Sequence, residues 1–430
     1  MSERDGILDN HSHEPVPKQE QVSGVRIAVI IIGIAITLPA FLLGAEVVSS
    51  LGFGPGFLAC VIAGVVLTLI ATLAMLVGTL THLSTAAIIR LTFGSTGSKF
   101  VNTLLSSTLF GWYGITAVLF GQVANRTIED VTQINVSSMV LIISGSVLMV
   151  LTTIFGFRAI DKLSRVAVPL LALMLLTALT LVFQETSWTE LAQLRPLSGQ
   201  GSVYGIGHGA SLIIGGFMVG VTITPDMSRF ARRASDAVTG TLMSYGSMSQ
   251  VVLFLTGVPA LVMGEKDLII TMTMLGLGLP ALAVMLLATW TTNVNNLYSA
   301  SLSLAQVLPR RWPDWLTTVF AGIAGTVLAI IIGREHFVDF LTFLSIAIPP
   351  IAGIYITDFF LLRRLTIHPS TQDSIPSWNR AAFIAWLMAG CFGAYEVLNK
   401  SSVTGVQALD TVITAAILFY LFSRLTNGSR

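Results

Sequence analysis

A succession of long apolar runs most constrains what this chain can fold into. Each run is about 20 residues long, the length that a helix needs to cross a hydrocarbon core about 30 Å thick. Of the 430 residues, 53% are hydrophobic and 10% are charged, against roughly 25% charged residues in a soluble domain. Runs such as PLLALMLLTALTLVF lack the alternation of a membrane β-barrel strand. The sequence therefore predicts an all-α integral membrane protein.

Twelve membrane-spanning segments are predicted along the chain. They comprise residues 25–49, 55–79, 101–124, 136–156, 164–184, 206–226, 238–263, 275–305, 315–333, 337–362, 379–398 and 405–424. The eighth is too long for one crossing, so we expect an interfacial piece near residues 275–279. The segment 1–24 is polar and contains two prolines, so it is predicted to be a disordered tail. It is not expected to be a cleaved signal peptide, because it lacks the pattern of one.

The positions of the lysines and arginines predict which ends of the spans face the cytoplasm, because cytoplasmic loops are rich in these residues. With the N-terminus inside, five of the 23 fall in the opposite loops: Arg126, Arg195, Lys266, Arg334 and Lys400. Both termini are therefore predicted to be cytoplasmic. The net charge of +1 excludes the basic face that a nucleic-acid partner requires. Two cysteines in apolar spans support neither a disulfide framework nor a metal cluster.

Glycine and proline interrupt the first and sixth spans. The first span contains Gly33 and Pro39, and the sixth contains a glycine cluster followed by Pro225. Both residue types mark places where a helix can unwind. Because the two spans are five apart, the pattern favours an inverted repeat with a binding site near the membrane midplane. The alternative is that these glycines serve close helix packing, as in the GxxxG pair Gly216 and Gly220.

Residues 289–300, TWTTNVNNLYSA, place three threonines and three asparagines inside an apolar span. A single threonine there bonds back to a carbonyl one turn earlier, and we expect this of Thr289. Asparagines are different, because each brings two donors and an acceptor that need partners in lipid. Asn293 and Asn296 share a helix face with Thr292 beside them. A water-filled cavity or a ligand is the economical explanation.

The uncharged oxygens of this stretch indicate which cation a transporter would use. Hydroxyls on one helix and free carbonyls where another helix unwinds form an oxygen cage suited to sodium. A proton would need a titratable relay group, and the charged candidates lie near predicted interfaces. Two of them have predicted arginine partners: Asp226 with Arg229, and Asp358 with Arg363 or Arg364. Sodium is favoured, and protons remain the alternative.

The segment LFGWYGI places two aromatic residues in the middle of the third span. Trp112 and Tyr113 lie away from the interfaces where such rings normally gather, and neighbouring glycines clear space beside them. Phe217 lies in the glycine-rich part of the sixth span. Two aromatic faces at the midplane would suit a flat substrate stacked between them, although a lone phenylalanine is usually a core residue.

Four pieces of the chain together resemble a known family. FGWYG, GGFMVGVTITPDMSRFARR, WTTNVNNLYSASL and FLTFLSIAIPPIAGIYITDFFLLRR, in this order and spacing, resemble bacterial cytosine permeases of the nucleobase-cation-symport-1 family. The likeness covers the chain from about Val25 to the tenth span and weakens over the last two.

The resemblance implies the five-plus-five inverted repeat of the sodium-coupled amino-acid transporter fold. The cytoplasmic tail would then be residues 1–24, the first repeat 25–184, the inverted repeat 185–362, and the two C-terminal helices and short tail 363–430. It also implies alternating access in a bacterial cytoplasmic membrane. The partners would be a small nucleobase-like substrate, sodium or protons, and the lipid bilayer. We expect a monomer without a cofactor apart from the transported cation.

Site residues follow from the same resemblance. It implies that a substrate stacks between Trp112 and Phe217 and meets Asn293. It further implies a cation cage, formed by the carbonyls of Gly33, Ile36 and Ala288 with the hydroxyls of Thr291 and Thr292. Other polar groups that could face the cavity are Thr108, Thr116 and Asn296.

Two positions depart from the cytosine permease pattern. Leu109 stands where those permeases have glutamine, and Gly216 stands where they have serine. Both family residues would hydrogen-bond the base, and a site built on such bonds discriminates strongly by them. The family resemblance implies cytosine or a related ring, and the two departures favour another flat heterocycle: a purine, a hydroxymethylpyrimidine or a hydantoin-like ring. The rival functions are a sodium-coupled amino-acid symporter of the same fold and, from other classes, a passive channel or a membrane enzyme.

Overall fold

Helices make up almost all of the part of the chain that the structure describes. The structure is a computed structural model, and it describes residues 21–35, 37–154, 157–194, 196–197, 205–305, 313–332, 336–363 and 375–427. In these ranges the β pairing is limited to one isolated bridge between Val22 and Ala231. Most of the predicted tail, and with it residues 1–20, lies outside the described residues.

The helices are numbered in chain order. The first nine are α1 (Gly24–Ala35), α2 (Leu38–Leu51), α3 (Phe53–Thr81), α4 (Thr85–Phe93), α5 (Gly97–Thr132), α6 (Ser138–Ile154), α7 (Phe157–Glu185), α8 (Trp188–Gln193) and α9 (Ile206–Thr222). The next six are α10 (Pro225–Ser228), α11 (Ala234–Met243), α12 (Ser249–Met263), α13 (Leu268–Met274), α14 (Gly278–Ala305) and α15 (Asp314–Ile332). The last four are α16 (Phe337–Ala347), α17 (Pro349–Thr357), α18 (Arg380–Leu398) and α19 (Gln407–Asn427). Single π turns, Ser244–Met248 and Asp358–Leu362, join α11 to α12 and extend α17.

Six stretches of the described chain are long and apolar enough to cross a membrane. They are Phe53–Thr81, Gly97–Thr132, Ala234–Met263, Phe337–Leu362, Arg380–Leu398 and Gln407–Leu425. Shorter apolar helices include Leu38–Leu51, Ser138–Ile154, Pro169–Gln184, Ile206–Thr222 and Trp315–Ile331. This pattern confirms the all-α membrane class expected from composition.

The predicted break in the first span is present in the structure. Helix α1 ends at Ala35, and α2 begins at Leu38 after Thr37, which is extended with φ −137° and ψ 158°. Proline in the first turn of α2 supplies no amide hydrogen to a preceding turn, so a helix cannot continue through it. The last four carbonyls of α1 therefore have no partner within their own helix.

The break in the sixth span lies later than the sequence predicted. Helix α9 runs without interruption through Gly215 and Gly216, and the irregular residues are Ile223 and Thr224, before Pro225 starts α10. Of the two predicted markers, Pro225 directly follows the break and the glycine cluster does not lie at it. A Cβ at Gly215 would lie 2.6 Å from the carbonyl oxygen of Leu341, so this glycine serves close packing between α9 and α16.

The long eighth span is divided at its start. Helix α13 ends at Met274, and a short turn leads to α14, which begins at Gly278. Gly276 and Gly278 have positive φ angles of 73° and 38°, a region that favours glycine. The piece predicted near residues 275–279 is thus a turn, and the crossing itself belongs to α14.

Helix α5 lies at the centre of the packing. It contacts α14 most extensively, then α15 and α6, while α2 packs on α12 and α9 packs on α3 and α16. Helices α18 and α19 pack on each other and on α17. The polar stretch of α14 and the aromatic segment of α5 therefore lie in neighbouring helices.

Polar contacts join the helices at the end of the bundle where the chain begins. The amide of Gly24 donates to Oδ1 of Asp236 over 2.8 Å, and the amide of Thr85 donates to Oδ1 of Asp226 over 2.8 Å. Arg229 donates its Nε to the backbone carbonyl of Asp226 over 3.2 Å. The carboxylate of Asp226 thus occupies the N-terminal end of α4, where a helix favours negative charge.

The opposite end of α4 is held by an arginine. Arg363 donates Nη2 to the carbonyl oxygen of Leu91 over 2.8 Å and Nε to Oδ2 of Asp358 over 2.9 Å. The predicted ion pair between Asp358 and Arg363 is therefore confirmed, and Arg364 lies outside the described residues. Since α4 is fixed at both ends, it ties the end of the sixth span to the end of the tenth.

Backbone contact between α2 and α12 yields a stability prediction. A Cβ at Gly257 would lie 2.3 Å from the carbonyl oxygen of Gly44, so Gly257→Val should force the two helices apart. Overpacking of this kind costs about 1–3 kcal/mol, and we expect a clearly lower melting temperature in detergent.

The control for this prediction is Gly390→Ala, because nothing lies within 4 Å of a Cβ at that position. It should leave the melting temperature unchanged or raise it slightly. Equal melting temperatures for both variants would contradict the close approach of α2 and α12.

Candidate substrate and cation site

The threonines of α14 differ in how their hydroxyls are used. Thr289 donates to the carbonyls of Met285 and Leu286 over 3.0 and 2.9 Å, as predicted for a threonine in a membrane helix. Thr292 is 9% exposed, and no residue that the structure describes makes a hydrogen bond with its hydroxyl. Its oxygen is therefore available to a ligand.

Two predicted cage oxygens are close together on this helix. The hydroxyl of Thr291 lies 2.9 Å from the carbonyl oxygen of Ala288 and 3.0 Å from that of Leu287. Hard cations such as calcium hold oxygens at about 2.3–2.6 Å, so two oxygens 2.9 Å apart can contact one ion. The hydroxyl of Thr291 can donate its proton in a hydrogen bond to the carbonyl oxygen of Leu287. The lone pairs of the same hydroxyl oxygen then remain available to a cation.

The break of the first span supplies the other predicted cage oxygens. Gly33 lies in the last turn of α1, whose carbonyls lack partners within the helix. Ile36 lies outside the described residues, so its predicted role stays a prediction. Helix α2, on the far side of the break, contacts α14. The helix arrangement thus brings the break and the threonines to adjoining elements.

Asn293 points in another direction from the threonines. Its side chain is completely buried and its Nδ2 lies 3.4 Å from the sulfur of Met149 on α6, while its Oδ1 has no hydrogen-bond partner. A thioether is a weak acceptor, so this amide is poorly satisfied. Asn296 is half-buried, and Asn295 is exposed and donates to the carbonyl of Thr291 over 3.1 Å. The substrate contact predicted for Asn293 and Asn296 stays a prediction.

The aromatic segment of α5 meets α16. Trp112 is half-buried, and its ring centroid lies 5.4 Å from Phe340 and 6.3 Å from Phe337, with edge-to-face geometry. Leu109, one turn earlier, is 8% exposed. Thr116, one turn later, donates its hydroxyl to the carbonyl of Trp112 over 2.8 Å, so its proton is used within the helix. Thr108 likewise donates within α5.

The glycine cluster of α9 also packs on α16. A Cβ at Gly216 would lie 2.9 Å from a methyl group of Leu43 on α2 and 3.5 Å from one of Leu341 on α16. Phe217 is half-buried and meets Tyr245 edge-to-face at 6.3 Å. Since each predicted stacking ring has its own aromatic neighbour, a substrate between Trp112 and Phe217 stays a prediction.

Several residues at this junction escaped sequence reasoning. Phe340 and Leu341 are adjacent in α16, yet one contacts α5 and the other contacts α9. Phe337 and Phe340 are three apart and share a helix face, which was the available signal. Met149 carried no signal, because only the packing of α6 on α14 brings it to Asn293.

The arrangement of helices and polar groups indicates a membrane transporter, and comparisons with known proteins agree with this class. A bundle of apolar helices, one of them broken and another bearing uncharged oxygens, is the architecture of secondary transporters. Residues 15–419 match the family described as permease for cytosine/purines, uracil, thiamine, allantoin. The chain therefore belongs to this permease family and is a multi-pass membrane transporter rather than an enzyme.

Individual relatives agree with this assignment. The chain is 27% identical to the cytosine permease of Escherichia coli (strain K12) over 97% of its length and 95% of that protein. It is 24% identical to the hydantoin permease of Microbacterium maritypicum over 77% of its length and 71% of that protein.

A solved transporter shares the fold. The structure matches the inward-facing conformation of Mhp1 with a TM-score of 0.85 at 18% identity, covering 96% of this chain and 93% of that one. It also matches a second structure, with a TM-score of 0.80. That structure is Mhp1, a nucleobase-cation-symport-1 family transporter, in a closed conformation with bromovinylhydantoin bound. The predicted fold class is therefore confirmed.

Gly215 and Gly216 of α9 differ in what surrounds them. This difference yields a prediction about position 216, where this chain has glycine and the cytosine permease pattern has serine. A serine at 216 has to displace only the flexible end of Leu43, whereas a serine at 215 meets the backbone of Leu341 and Ser345. Gly216→Ser combined with Leu109→Gln should therefore fold. If these positions exclude cytosine, the double variant should bind it at least 10-fold more tightly in a radioligand assay.

Gly215→Ser is the control for the steric part, and we expect it to lower the melting temperature. A well-folded double variant with unchanged cytosine affinity would show that cytosine is selected elsewhere.

Proposed function

We propose that the protein is a cation-coupled symporter that carries a flat, nucleobase-like heterocycle, with sodium as the coupling ion. The observation that carries this proposal is the hydroxyl of Thr292, which has no hydrogen bond to any described residue, in a stretch where Thr289 and Thr291 bond back to their own helix. A free oxygen beside the broken first span fits a small cation without a carboxylate.

The substrate class rests on the half-buried ring of Trp112 and on the named relatives. Cytosine and hydantoins are flat rings with amide edges, and such rings stack on aromatic side chains. Trp112 meets Phe340 and Gly216 meets Leu341, both on α16, so a movement of α16 would open space for a flat ring beside them. Leu109 and Gly216 offer no hydrogen bond from their side chains, which favours a heterocycle other than cytosine.

Coupling between the two sites follows from the position of α2. Leu43 of α2 lies against Gly216, and the same helix contacts α14. A cation that binds between the first-span break and α14 orients α2, and α2 borders the substrate site. By linkage, the substrate then raises the affinity for the cation by the same factor.

The wider architecture completes the proposal. It comprises a first repeat over residues 25–184, an inverted repeat over 185–362, and C-terminal helices after 363. Both termini face the cytoplasm of a bacterial cell, and the transporter acts as a monomer by alternating access. The shared packing of α5 on α14 and α16 supports a site between the two repeats.

An uptake screen tests the substrate class. Purified protein in liposomes is offered radiolabelled purines, pyrimidines, hydantoins and amino acids under an inward sodium gradient. We expect saturable uptake of a heterocycle that collapses when the gradient is removed. Uptake of amino acids alone would support the rival amino-acid symporter, and uptake that does not saturate would indicate a channel.

Removing the ring of Trp112 yields the first functional prediction. One stacking face contributes about 1–3 kcal/mol per base, so Trp112→Ala should bind the heterocycle about 10-fold to 100-fold more weakly. The measurement is equilibrium binding of the heterocycle found in the screen.

Trp315→Ala is the control, because this tryptophan is 55% exposed on α15. It should bind like the wild type. Unchanged affinity in Trp112→Ala would argue against stacking on this ring.

Thr292→Ala tests the cation site. Loss of one oxygen ligand should weaken sodium binding about 10-fold, since hydrogen bonds and contacts to charged groups contribute about 1.5–3 kcal/mol. Substrate affinity should then fall in sodium and stay unchanged in choline.

Thr289→Ala is the matched control, because its hydroxyl bonds within α14. It should keep the sodium response. A loss of substrate affinity in Thr292→Ala that is equal with and without sodium would place Thr292 at the substrate instead.

A further inference from the structure

A surface groove of about 390 Å³ lies where α18 begins, and it is lined by Trp378, Arg380, Phe383 and Ile384. Phe100 of α5 borders it, with its ring centroid 5.5 Å from that of Phe383. Trp378 lies 4.6 Å from Phe383 on the other side. We call these residues the basic-aromatic groove, and we include Lys99 in it because Lys99 directly precedes Phe100 in α5.

The groove has a rigid base. The amide of Thr96 donates to the carbonyl of Ser377 over 2.9 Å, and the amide of Asn379 donates to the carbonyl of Phe93 over 3.0 Å. Asn379 also donates Nδ2 to the carbonyl of Thr92 over 2.8 Å. The starts of α5 and α18 are therefore held side by side, and the groove is formed before any ligand arrives.

Positive charge at the groove has no acidic partner among the residues that the structure describes. Lys99 and Arg380 are both exposed and lie in the first turns of α5 and α18, neither of which contains an acidic residue. In the described part of the chain, neither side chain has an ion pair or a hydrogen bond. A basic residue in a first turn adds to the positive end of the helix dipole, which is unfavourable without a nearby anion. This contrasts with Arg363 on the same side of the protein, which is paired with Asp358.

The apolar surface that continues from the groove indicates what the anion is attached to. Ile384, Leu387 and Met388 are 48%, 58% and 47% exposed along one face of α18. A stripe of exposed apolar side chains on a membrane helix contacts acyl chains. A water-soluble anion gains no favourable contact from such a stripe. Trp378 and Phe100 lie between the basic residues and the apolar stripe of α18, and they are 47% and 44% exposed. Aromatic rings gather at this position in membrane proteins, at the level of the lipid headgroups.

We propose that the basic-aromatic groove binds a phospholipid with an anionic headgroup. The phosphate lies between Lys99 and Arg380, and one acyl chain follows α18 over Ile384 and Leu387. The lipid belongs to the leaflet on the side where the chain begins, because α5 and α18 both start there. The site is separate from the substrate and cation residues, so it stands whether or not the transport proposal holds.

Native mass spectrometry of the full chain tests this site by titration with dioleoyl phosphatidylglycerol. Basic side chains near an anionic headgroup each contribute about 5-fold in affinity, so Lys99→Gln with Arg380→Gln should weaken binding about 30-fold. Arg26→Gln with Arg233→Gln is the matched control, since it removes the same charge from exposed residues on the same side. The control should bind the lipid like the wild type.

Two outcomes of that titration would overturn the proposal. Equal weakening in both double variants would show a diffuse charge effect without a site. Equal binding of dioleoyl phosphatidylcholine and dioleoyl phosphatidylglycerol by the wild type would show that no anion is recognised. The variants change exposed side chains, and an unchanged melting temperature without added lipid verifies that they fold.

A final comparison separates a lipid from a free anion. Glycerol phosphate should bind at least 10-fold more weakly than phosphatidylglycerol, and Trp378→Ala should weaken the lipid but leave glycerol phosphate unaffected. Glycerol phosphate that binds as tightly as the lipid would identify the groove as a site for a soluble anion and would overturn the proposal.

Discussion

The structure depends on where polar groups in the membrane find partners. A backbone carbonyl or a hydroxyl in hydrocarbon costs several kcal/mol when it is unpaired, so irregular backbone persists only beside a cavity or a ligand. The break between α1 and α2 frees carbonyls, and the hydroxyl of Thr292 on α14 has no hydrogen bond to any described residue. The two features lie on adjoining elements, and a small cation would satisfy both.

Helices α2 and α16 connect this region to the aromatic segment. Leu43 of α2 and Leu341 of α16 both lie against Gly216, while Phe340 of α16 covers Trp112. A movement of either helix therefore changes the space beside the rings. Because α2 also follows the first-span break directly, a cation bound at that break would act on the proposed substrate region through a single helix.

Sequence reasoning succeeded where the physics is local. The length of the apolar runs predicts the membrane class. The hydrogen bonds of Thr289 to its own helix are predicted because their acceptors lie one helical turn earlier, and the Asp358–Arg363 pair is predicted because the two residues are only five apart. It failed on the sixth span, because glycine permits unwinding and close packing alike and only the neighbouring α16 decides between them. The partners of Asn293 and Phe217, Met149 and Tyr245, come from distant parts of the chain, so no local pattern could reveal them.

We propose that substrate and cation bind cooperatively. This is tested by the equilibrium affinity of the wild-type protein for its heterocycle at increasing sodium concentration, with choline holding the ionic strength constant. Coupling free energies of about 1–3 kcal/mol are typical, so we expect a dissociation constant that falls at least about 5-fold and then levels off as the cation site fills. An affinity that is the same at every sodium concentration would contradict it.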